Sequence, residues 1–407
     1  MPTLDIYHIR NNPELYAETC LSRNLPNLAS SPFRIIKLMY YHQALQWAVK
    51  SLCERANALD NELLVLEEEG KNIQEKLKEA REIKIKILEV EEVEVDIMSK
   101  IEDLALALPN ILSKETPRGP DWDYICSANA DEKVIQIKDS KGKHIHHFDI
   151  GKQLGILDFA SVDAASSKGW YYLVGVGALL EQALVSYALT FTTRNGWTPV
   201  SPPSLVRSQI SAACGFQAQD SSGKQQVYNI AQDEKDKTRG VPGLSLTRTS
   251  GIALAGMMAN KIIPEELPLR RVAASRCYRP EAGPDTEGLY RVNEFTKVEL
   301  FAWTKPDEEE MGYFFDEIID IQTDILGALG ITCRVLDMPV QNLRAREARR
   351  VAIKAFFPFR AVESTVGDED EKRSWKWGDG VPVDGTWDGV GGAEGCGGVA
   401  RDWMGCG

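Results

Sequence analysis

An arginine and a glutamate lie two residues apart, Arg279 and Glu281, in the segment SRCYRPEAG. Successive side chains of a strand point to opposite faces, so these two would share one face. A second segment, residues 289–303 (LYRVNEFTKVELFAW), alternates in the same way. One of its faces would carry Arg291, Asn293, Phe295, Lys297 and Glu299. Arginine binds phosphate, carboxylates accept from amines and hydroxyls, and a flat ring stacks, so this combination is typical of a nucleotide site.

Two adjacent strands must bring these residues together. Residues 272–281 and 289–303 are each predicted as a strand, and the segment AGPDTEG between them has good turn chemistry. Val292, Val298 and Leu300 would then point to the opposite side, toward a core. The alternative is an exposed ladder of cross-strand ion pairs, and alternation alone does not decide between the two.

The first part of the chain carries two helical patterns. Leucine and alanine recur at steps of four and three from Leu52 to Leu66, and apolar residues recur similarly from Ile83 to Leu104. Each pattern places one apolar seam on a helix. With Gly70 between the two patterns, the simplest structure is an antiparallel helical hairpin. A plain dimerising coiled coil has the same heptads and is the alternative.

Basic residues cluster near the expected tip of this hairpin, namely Lys71, Lys76, Lys78, Arg81, Lys84 and Lys86. A basic tip on a long arm can reach a phosphate backbone, and such binding is salt-sensitive. Glutamates at 75, 79 and 82 are interleaved with these cations and could pair with them at helical spacing. Charge alone therefore favours a solvated surface over a nucleic-acid contact.

Composition excludes several classes of protein. The chain has 407 residues and a net charge of −13, so any nucleic-acid contact must come from a local basic patch. None of the eight cysteines forms a CxxC pair, which argues against a zinc site and favours reduced thiols. We expect no membrane span, since the most apolar stretch carries Glu181 and Gln182 in its middle. The start of the chain resembles neither a signal peptide nor an Arg-rich transit peptide.

Several segments together carry a family resemblance. RCYRPEAG followed by DTEGLYRVNEFTKVELFAW resembles motif 2 of the class II aminoacyl-tRNA synthetases, in the form found in seryl-tRNA synthetases of the fungal mitochondrial type. LDIYHIRNNPELY, LALALPNIL and FDIGKQLGILDF are similar to other parts of that family. GWTPVSPPSLV is similar to its motif 1, with Pro203 as the motif's proline. The likeness covers about residues 1–360.

The resemblance implies an α+β fold. An N-terminal antiparallel α-helical coiled-coil arm at 1–112 would bind tRNA, and a class II synthetase core at 113–366 would be built on an antiparallel sheet, truncated at its end. A homodimer would form through the segment that begins at Gly196 and ends at Leu205. The tail at 367–407 is rich in glycine and tryptophan, so we expect it to be disordered.

The activity that the resemblance implies is that of a serine–tRNA ligase. Such an enzyme uses ATP and Mg²⁺ to form seryl-adenylate and passes the seryl group to tRNA-Ser. Arg279 would hold the α-phosphate and the serine carboxylate, and Pro280 and Glu281 would contact ATP. The backbone of Val292 and the ring of Phe295 would hold the adenine. The basic arm tip would then contact the long variable arm of tRNA-Ser by shape.

A second group of residues would bind serine. The resemblance implies that Glu299 binds the ammonium or hydroxyl group of serine, and Thr249 and Ser250 match a Thr-x-Glu serine-binding motif. Gly251 stands where that motif has glutamate, and Arg248 adds a positive charge nearby. We expect these changes to weaken serine binding by a few kcal/mol.

The end of the chain departs from the family pattern. After AIKAFFPFR there is neither a Glu-Ile-Ser-Ser type strand nor a glycine-rich motif 3, and we interpret residues 361–407 as the product of a shifted reading frame or a faulty gene model. A missing motif 3 would remove an anchor for the γ-phosphate. One alternative function is therefore a non-catalytic, synthetase-like dimer that binds tRNA, and another is a coiled-coil interaction protein. The resemblance is compatible with a mitochondrial or a cytoplasmic location.

Overall fold

The computed structural model describes residues 6–68, 72–130, 140, 142, 145–216, 218, 223, 225–259, 261, 266–280 and 289–356, together with the backbone of five short strands beyond residue 361. Two compact units divide the chain, Leu4–Ile111 and Leu112–Gly407. Gly70, which lies between the two helical patterns, is outside the described residues.

The helices are α1 (Ile6–Asn11), α2 (Pro13–Ser22), α3 (Ser31–Glu68), α4 (Gln74–Leu106), α5 (His147–Gln153), α6 (Val162–Ala165), α7 (Val176–Arg194), α8 (Ser208–Ala213), α9 (Glu234–Thr238), α10 (Ser250–Met257) and α11 (Glu308–Ala328). The strands before residue 356 are β1 (Asp123–Ala128), β2 (Leu157–Asp158), β3 (Tyr172–Leu173), β4 (Thr198–Val200), β5 (Leu205–Arg207), β6 (Leu244–Leu246), β7 (Leu269–Tyr278), β8 (Glu294–Trp303), β9 (Cys333–Asp337) and β10 (Arg349–Ala355). The strands after it are β11 (Val362–Glu363), β12 (Trp375–Lys376), β13 (Pro382–Asp388), β14 (Val399–Asp402) and β15 (Met404–Cys406).

The first unit is the predicted antiparallel hairpin of two long helices. Side-chain contacts between α3 and α4 run in opposite order along the two helices, at His42–Glu94, Arg55–Glu79 and Glu62–Lys76. A shared apolar core near the base of the hairpin includes Ile35, Ile97 and Ile101, all buried. The apolar seams predicted from the heptads therefore meet within one chain, as the hairpin interpretation requires.

The second unit is built on a predominantly antiparallel sheet, as predicted. Its strand order is β1-β9-β10-β13-β14-β8-β7-β4, with β15 also pairing with β8. Strands β7 and β8 form its longest pair, in register from Leu269 opposite Trp303 to Tyr278 opposite Glu294. The parallel pair β4–β7 lies at one edge of the sheet.

Helices α7 and α11 cover one face of β7 and β8. Val272 and Leu300 from the strands are completely buried against Ile318 and Ile325 of α11 and Ala188 of α7. The start of α11 is fixed by the side chain of the N-cap residue Asp307, which accepts from the backbone N–H of Glu310 at 2.8 Å. This layer holds the two strands rigidly and leaves their other face available for chemistry.

The proline-rich segment after α7 begins with a short strand, β4, at one edge of the sheet. Gly196 has φ +85° at the end of α7, a conformation that glycine adopts at no steric cost. Trp197 then anchors the chain, since it is buried and its indole N–H donates to Glu317 at 3.2 Å. Pro199 follows in β4 and has no backbone N–H to donate. Because β4 lies at the edge of the sheet, the missing donor breaks no hydrogen bond between two central strands.

The disorder expected for residues 367–407 stays a prediction, and three short strands within that segment, β13, β14 and β15, pair with the sheet. Strand β13 pairs with β10, β14 pairs with β13 and β8, and β15 pairs with β8, all antiparallel. The physical reason is that β10 and β8 each present a row of backbone N–H and C=O groups, which an extended segment can satisfy. A prediction from glycine content alone does not take these unpaired backbone groups of β8 and β10 into account.

Within the described part of the chain, no helix is both long enough and apolar enough to cross a membrane.

Candidate active site

The face of β7 and β8 that points away from α7 and α11 carries polar side chains. Ser275 lies opposite Lys297 in register, and Glu299 follows two residues later on the same face. Lys297 and Glu299 have no exposed side-chain surface, although both are charged residue types. The alternative of an exposed ion-pair ladder is therefore wrong for this pair, and we call this surface the polar face.

Arg279 and Phe295 lie together at one end of the polar face. The guanidinium carbon of Arg279 is 4.8 Å from the centre of the Phe295 ring, within the range of a cation–π contact. Arg279 is half-buried, and its backbone N–H donates to the carbonyl oxygen of Asn293 at 2.8 Å. Phe295 packs with Val292 and the buried Cys277. The residues predicted to hold phosphate and adenine are thus neighbours.

Glu299 is the centre of a buried polar cluster at the other end. Its Oε2 accepts from the hydroxyl of Ser250 at 2.6 Å, from the backbone N–H of Gly251 at 2.7 Å, and from the hydroxyl of Thr249. The ammonium Nζ of Lys297 lies 3.1 Å from the same oxygen and also donates to Thr249. Charge-assisted hydrogen bonds of this kind fix a carboxylate in orientation.

The start of α10 supplies most of these donors. Thr249 is the N-cap residue, and its hydroxyl oxygen also accepts from the backbone N–H of Gly251 at 3.3 Å. Thr249, Ser250 and Gly251 are all completely buried. The carboxylate of Glu299 therefore lies at a helix N-terminus, where backbone N–H groups and the helix dipole favour negative charge.

Burial changes the proton affinity of Lys297. Removal from water disfavours the ammonium form and lowers the pKa of Lys297 to about 8, although the Glu299 carboxylate works in the opposite direction. The neighbouring thiol of Cys277 has its pKa raised, mainly by burial. The site therefore holds one fixed carboxylate and one lysine whose charge is expensive to maintain.

Two residues of the site were given no role by sequence reasoning. Lys297 supports Glu299, and the available signal was that these two charged residues alternate with apolar residues in the run KVELFAW. Asn293 connects Arg279 to a neighbouring loop, because its side-chain amide donates to Lys168 O at 3.2 Å and its backbone N–H to Gly169 O at 2.8 Å. No local pattern in the sequence indicated the second contact.

Arg248 is directed toward other partners than the Glu299 cluster. Its guanidinium donates to the backbone carbonyl of Gln226 at 2.7 Å and to the side-chain oxygen of Gln226 at 3.0 Å. Its guanidinium carbon also lies 5.6 Å from the centre of the Phe216 ring. These contacts orient the guanidinium of Arg248 toward Gln226 and Phe216, and they leave its positive charge in place.

Some predicted site residues cannot be located. Glu281, predicted to contact ATP, and Lys71, predicted to contact tRNA, lie outside the described residues. Pro280 is described and half-buried, directly after Arg279.

The basic residues of the arm differ in how they are paired. Lys76 contacts Glu62 at 2.8 Å and Glu79 at 3.6 Å, so its charge is shared within the arm, as the interleaved glutamates predicted. Lys78 lies 4.0 Å from Glu82. The remaining three cations, Arg81, Lys84 and Lys86, are exposed side chains of α4.

An exposed apolar stripe lies on α7, just before the predicted dimer segment. Val176, Leu179 and Leu180 share one side of the helix by their spacing and are 72%, 68% and 54% exposed. Within the segment itself, Leu205 is 46% exposed. Side chains of this type exposed together are typical of a surface that another molecule covers.

Known proteins resemble this chain along both units. Residues 3–112 match the family described as "Seryl-tRNA synthetase N-terminal domain", and residues 236–373 match "tRNA synthetase class II core domain (G, H, P, S and T)". The mitochondrial serine–tRNA ligase of Schizosaccharomyces pombe is 30% identical over 363 residues, which are 88% of this chain and 73% of that protein. The chain belongs to the seryl-tRNA synthetase family.

Other relatives agree with the seryl-tRNA synthetase assignment. The mitochondrial serine–tRNA ligase of Saccharomyces cerevisiae is 36% identical over 272 residues, 65% of this chain and 57% of its own length. The matched part thus spans little more than half of that relative. The seryl-tRNA synthetase of Pyrococcus horikoshii, solved with ATP, has the same fold, with a TM-score of 0.76, 24% identity and coverage of 98% of this chain and 91% of its own.

The family matches contain the described site. Thr249, Arg279, Phe295 and Glu299 lie within the part that matches the class II core, and helices α3 and α4 lie within the part that matches the seryl-tRNA synthetase N-terminal domain. The arm and the catalytic core of a seryl-tRNA synthetase are therefore both represented in this chain.

Proposed function

We propose that this chain activates serine with ATP to form seryl-adenylate and transfers the seryl group to tRNA-Ser. The observation that carries the proposal is the polar face of β7 and β8, where Arg279 beside Phe295 adjoins the buried Glu299 cluster. A face with a cation, an aromatic ring and a fixed carboxylate matches the three parts of an adenylate, namely phosphate, base and amino acid. Membership of the seryl-tRNA synthetase family supports the same reaction.

In the first step, a carboxylate oxygen of serine attacks the α-phosphorus of ATP and pyrophosphate leaves. Arg279 would neutralise the charge that builds up on the α-phosphate, and Phe295 with the backbone of Val292 would hold the adenine. Glu299 would accept a hydrogen bond from the serine hydroxyl or ammonium group. In the second step, a ribose hydroxyl of the tRNA end attacks the carbonyl carbon and AMP leaves. Catalysis is then mainly positioning with charge stabilisation.

Selectivity for serine follows from the same cluster. A buried carboxylate oriented toward a substrate hydroxyl rejects an analogue without that hydroxyl, because the polar group is left without its partner. We expect alanine to be a poor substrate for this reason.

ATP would bring the metal ion with it. Among the described residues, no group of three His, Cys, Asp or Glu side chains could hold a metal ion. Mg²⁺ usually binds through substrate phosphates with few protein ligands, so a dedicated protein site is not required. We propose that Mg²⁺ screens the phosphate charge of bound ATP in this way.

The proposed reaction is tested by serine-dependent exchange of pyrophosphate into ATP. We expect exchange with serine, little with alanine, and a loss of at least about 100-fold in Arg279→Lys, since lysine cannot replace the planar guanidinium. Arg271→Lys is the matched control, because Arg271 lies on the same strand about 26 Å away along β7. Retention of tRNA-Ser without exchange would favour the non-catalytic alternative instead.

Transfer requires a tRNA partner, and we propose that the arm binds tRNA-Ser. Support comes from the exposed side chains of Arg81, Lys84 and Lys86 on α4. Each phosphate contact contributes about 0.9 to the slope of log K against log salt. We therefore expect Lys84→Gln/Lys86→Gln to reduce that slope for tRNA-Ser by about 2, and Lys100→Gln on the same helix to leave it unchanged. An unaltered slope in the double variant would contradict the assignment.

We propose that the chain forms a homodimer through the segment 196–205 together with the apolar stripe on α7. The exposed Leu179 and Leu180 beside an edge strand support a self-complementary contact. We also propose a mitochondrial location, which is supported by the names of the yeast relatives. Fractionation of cells that express the full-length protein tests the location, and recovery in the cytosol alone would contradict it.

A further inference from the structure

Three aromatic side chains lie exposed along the outward face of α3. Phe33, Tyr40 and Trp47 are 47%, 64% and 66% exposed, and they are spaced seven residues apart. Seven residues are nearly two turns of helix, so the three rings share one face and follow one another at intervals of about 10.5 Å. Exposed large aromatics in a row are not needed for folding and indicate a surface that meets another molecule.

The same face has an unusual charge. Between Glu18 and Glu54 the sequence contains no aspartate or glutamate, although the chain as a whole has a net charge of −13. Lys37 is exposed on the same side of α3 as the aromatic rings. The ammonium of Lys50 lies 5.6 Å from the centre of the Trp47 ring. We call Phe33, Lys37, Tyr40, Trp47 and Lys50 the aromatic–basic stripe.

The neighbouring helix has the opposite character. Residues 89–96 of α4 read EVEEVEVD, with five acidic side chains. Where the two helices meet, Glu94 contacts His42, which lies on the inner side of α3. Ile35 and Leu45 also turn inward, to the core shared with α4. The stripe therefore faces away from α4, and a polyanion could lie along α3 without meeting the acidic run.

We propose that the aromatic–basic stripe binds unpaired nucleotides of an RNA strand, as a contact surface distinct from the basic arm tip. Surfaces that bind single strands combine cations, which neutralise phosphates, with aromatic rings, on which bases stack. Both are present on the stripe, and acidic groups that would repel phosphate are missing from this stretch of sequence. The proposal extends the proposed function, because it assumes that the natural ligand is an RNA.

The spacing of the rings favours unpaired bases over a duplex. Bases stacked in a helical strand follow one another at about 3.4 Å, whereas the rings of the stripe are about 10.5 Å apart. A side chain cannot intercalate between closed base pairs without a cost of a few kcal/mol per step. Bases that are already splayed out can stack on each ring with no such cost. An acidic protein would satisfy Lys37 and Lys50 but would give the flat rings no stacking partner.

The test measures binding of the intact chain to a fluorescently labelled 15-nucleotide oligouridine by anisotropy. Each stacked base contributes about 1–3 kcal/mol, so Tyr40→Ala/Trp47→Ala should weaken binding at least tenfold. Leu88→Ala/Val95→Ala is the matched control, because these residues are 58% and 68% exposed and also lie seven apart, on α4. We expect its affinity to remain within twofold of the unaltered chain.

Two further readouts separate stacking from other effects. Lys37→Gln/Lys50→Gln should reduce the slope of log K against log salt by about 1.4, since each phosphate contact to a single strand contributes about 0.7. Stacking should quench tryptophan emission on addition of the oligonucleotide, and Trp47→Phe should remove that change. Serine-dependent pyrophosphate exchange needs no tRNA, so it should be normal in every stripe variant, which keeps failure of this proposal distinct from failure of the proposed reaction.

Several results would overturn the proposal. These are failure of the unaltered chain to bind the oligonucleotide, equal affinities for the stripe variant and the α4 control, or binding to a duplex of the same length as tight as to the single strand. A change of molecular mass in Tyr40→Ala/Trp47→Ala, measured by light scattering, would instead assign the stripe to contact between copies of the chain.

Discussion

Replacement of Lys297 by methionine tests the physical basis of the site. Lys297 and Glu299 have no exposed side-chain surface, and their charged atoms are 3.1 Å apart. Removal of one member of a buried ion pair leaves the other charge without compensation and costs about 3–5 kcal/mol. Glu299 would still accept from Ser250 and from the backbone of Gly251. We therefore expect a loss near the lower end, about 3 kcal/mol of unfolding free energy.

A double substitution isolates the contribution of the pair. Lys297→Met/Glu299→Gln removes both charges, while glutamine keeps an oxygen that can accept from the start of α10. We expect the double variant to be more stable than the sum of the single effects predicts, with a coupling energy of at least about 2 kcal/mol. Urea unfolding followed by tryptophan emission measures all four proteins, and Lys305→Met, at an exposed lysine beyond the end of β8, is the control. Its effect should stay within about 0.5 kcal/mol.

The pH dependence of the same variants gives a second check. The folded protein lowers the pKa of Lys297 to about 8, whereas the unfolded value is about 10.4. Between these values the unfolded chain binds more protons at this position, so the stability of the folded state rises with pH. The contribution is fully present above about pH 10.4 and is lost as the pH falls through 8. We expect the difference in unfolding free energy between the unaltered chain and Lys297→Met to grow over this interval.

Two outcomes would refute the reasoning. A loss below about 1 kcal/mol in Lys297→Met would show that the pair is not buried or not formed, since an exposed pair contributes that little. A coupling energy near zero would show that Lys297 and Glu299 act independently. In either case the proposed serine site could not be held together as described.

Three other substitutions probe the proposed adenine contact, the proposed serine contact and the proposed dimer surface. Phe295→Leu should raise the KM for ATP about tenfold in the exchange assay, because loss of aromatic stacking costs about 1.4 kcal/mol. Phe295→Tyr keeps the ring, so its KM for ATP should equal that of the unaltered chain. Gly251→Glu should lower the KM for serine by about 10- to 100-fold, which is the range of a hydrogen bond to a charged group. The uncharged variant Gly251→Gln should not lower this KM. Equal effects of the two substitutions would exclude charge as the cause. If the proposed dimer forms, Leu180→Glu should convert it to a monomer by light scattering. Leu154→Glu, at a leucine that is 67% exposed and lies outside the stripe on α7, should not. An unchanged mass in Leu180→Glu would remove α7 from the proposed interface.

The helical arm and the strands β7 and β8 could be predicted from the sequence, because both depend on local periodicity. Heptads predicted α3 and α4, and alternation predicted β7 and β8. Strand β7 begins and ends three residues earlier than expected, and β8 begins five residues later but ends at Trp303 as expected. The side chains that contact the alternating residues of β7 and β8 could not be predicted in the same way. The burial of Lys297 against Glu299 depends on α10, which lies 40 residues earlier in the chain. The family resemblance grouped Thr249 and Ser250 with Glu299, but alternation alone did not add Lys297 to that cluster.

The tail shows the limit of composition as evidence. Residues 382–388 lie in the tail that is rich in glycine and tryptophan as a whole, yet they form β13 beside β10. A strand in the middle of a sheet satisfies the backbone groups of its neighbours, and this gain does not depend on its own side chains. Local propensity therefore predicts poorly wherever the rest of the fold already provides a partner.

The charges of the site place a condition on substrate binding. Glu299 is balanced by Lys297 within the chain, so the pair adds no net charge to attract the ammonium group of serine. An ammonium group near Glu299 would also approach the Lys297 cation, and two like charges at such distances repel unless a further carboxylate is present. Gly251 provides none, because it has no side chain. In the proposed serine site, the carboxylate of Glu299 would consequently be better suited to accept from the serine hydroxyl, and recognition of the ammonium group would come from another part of the site.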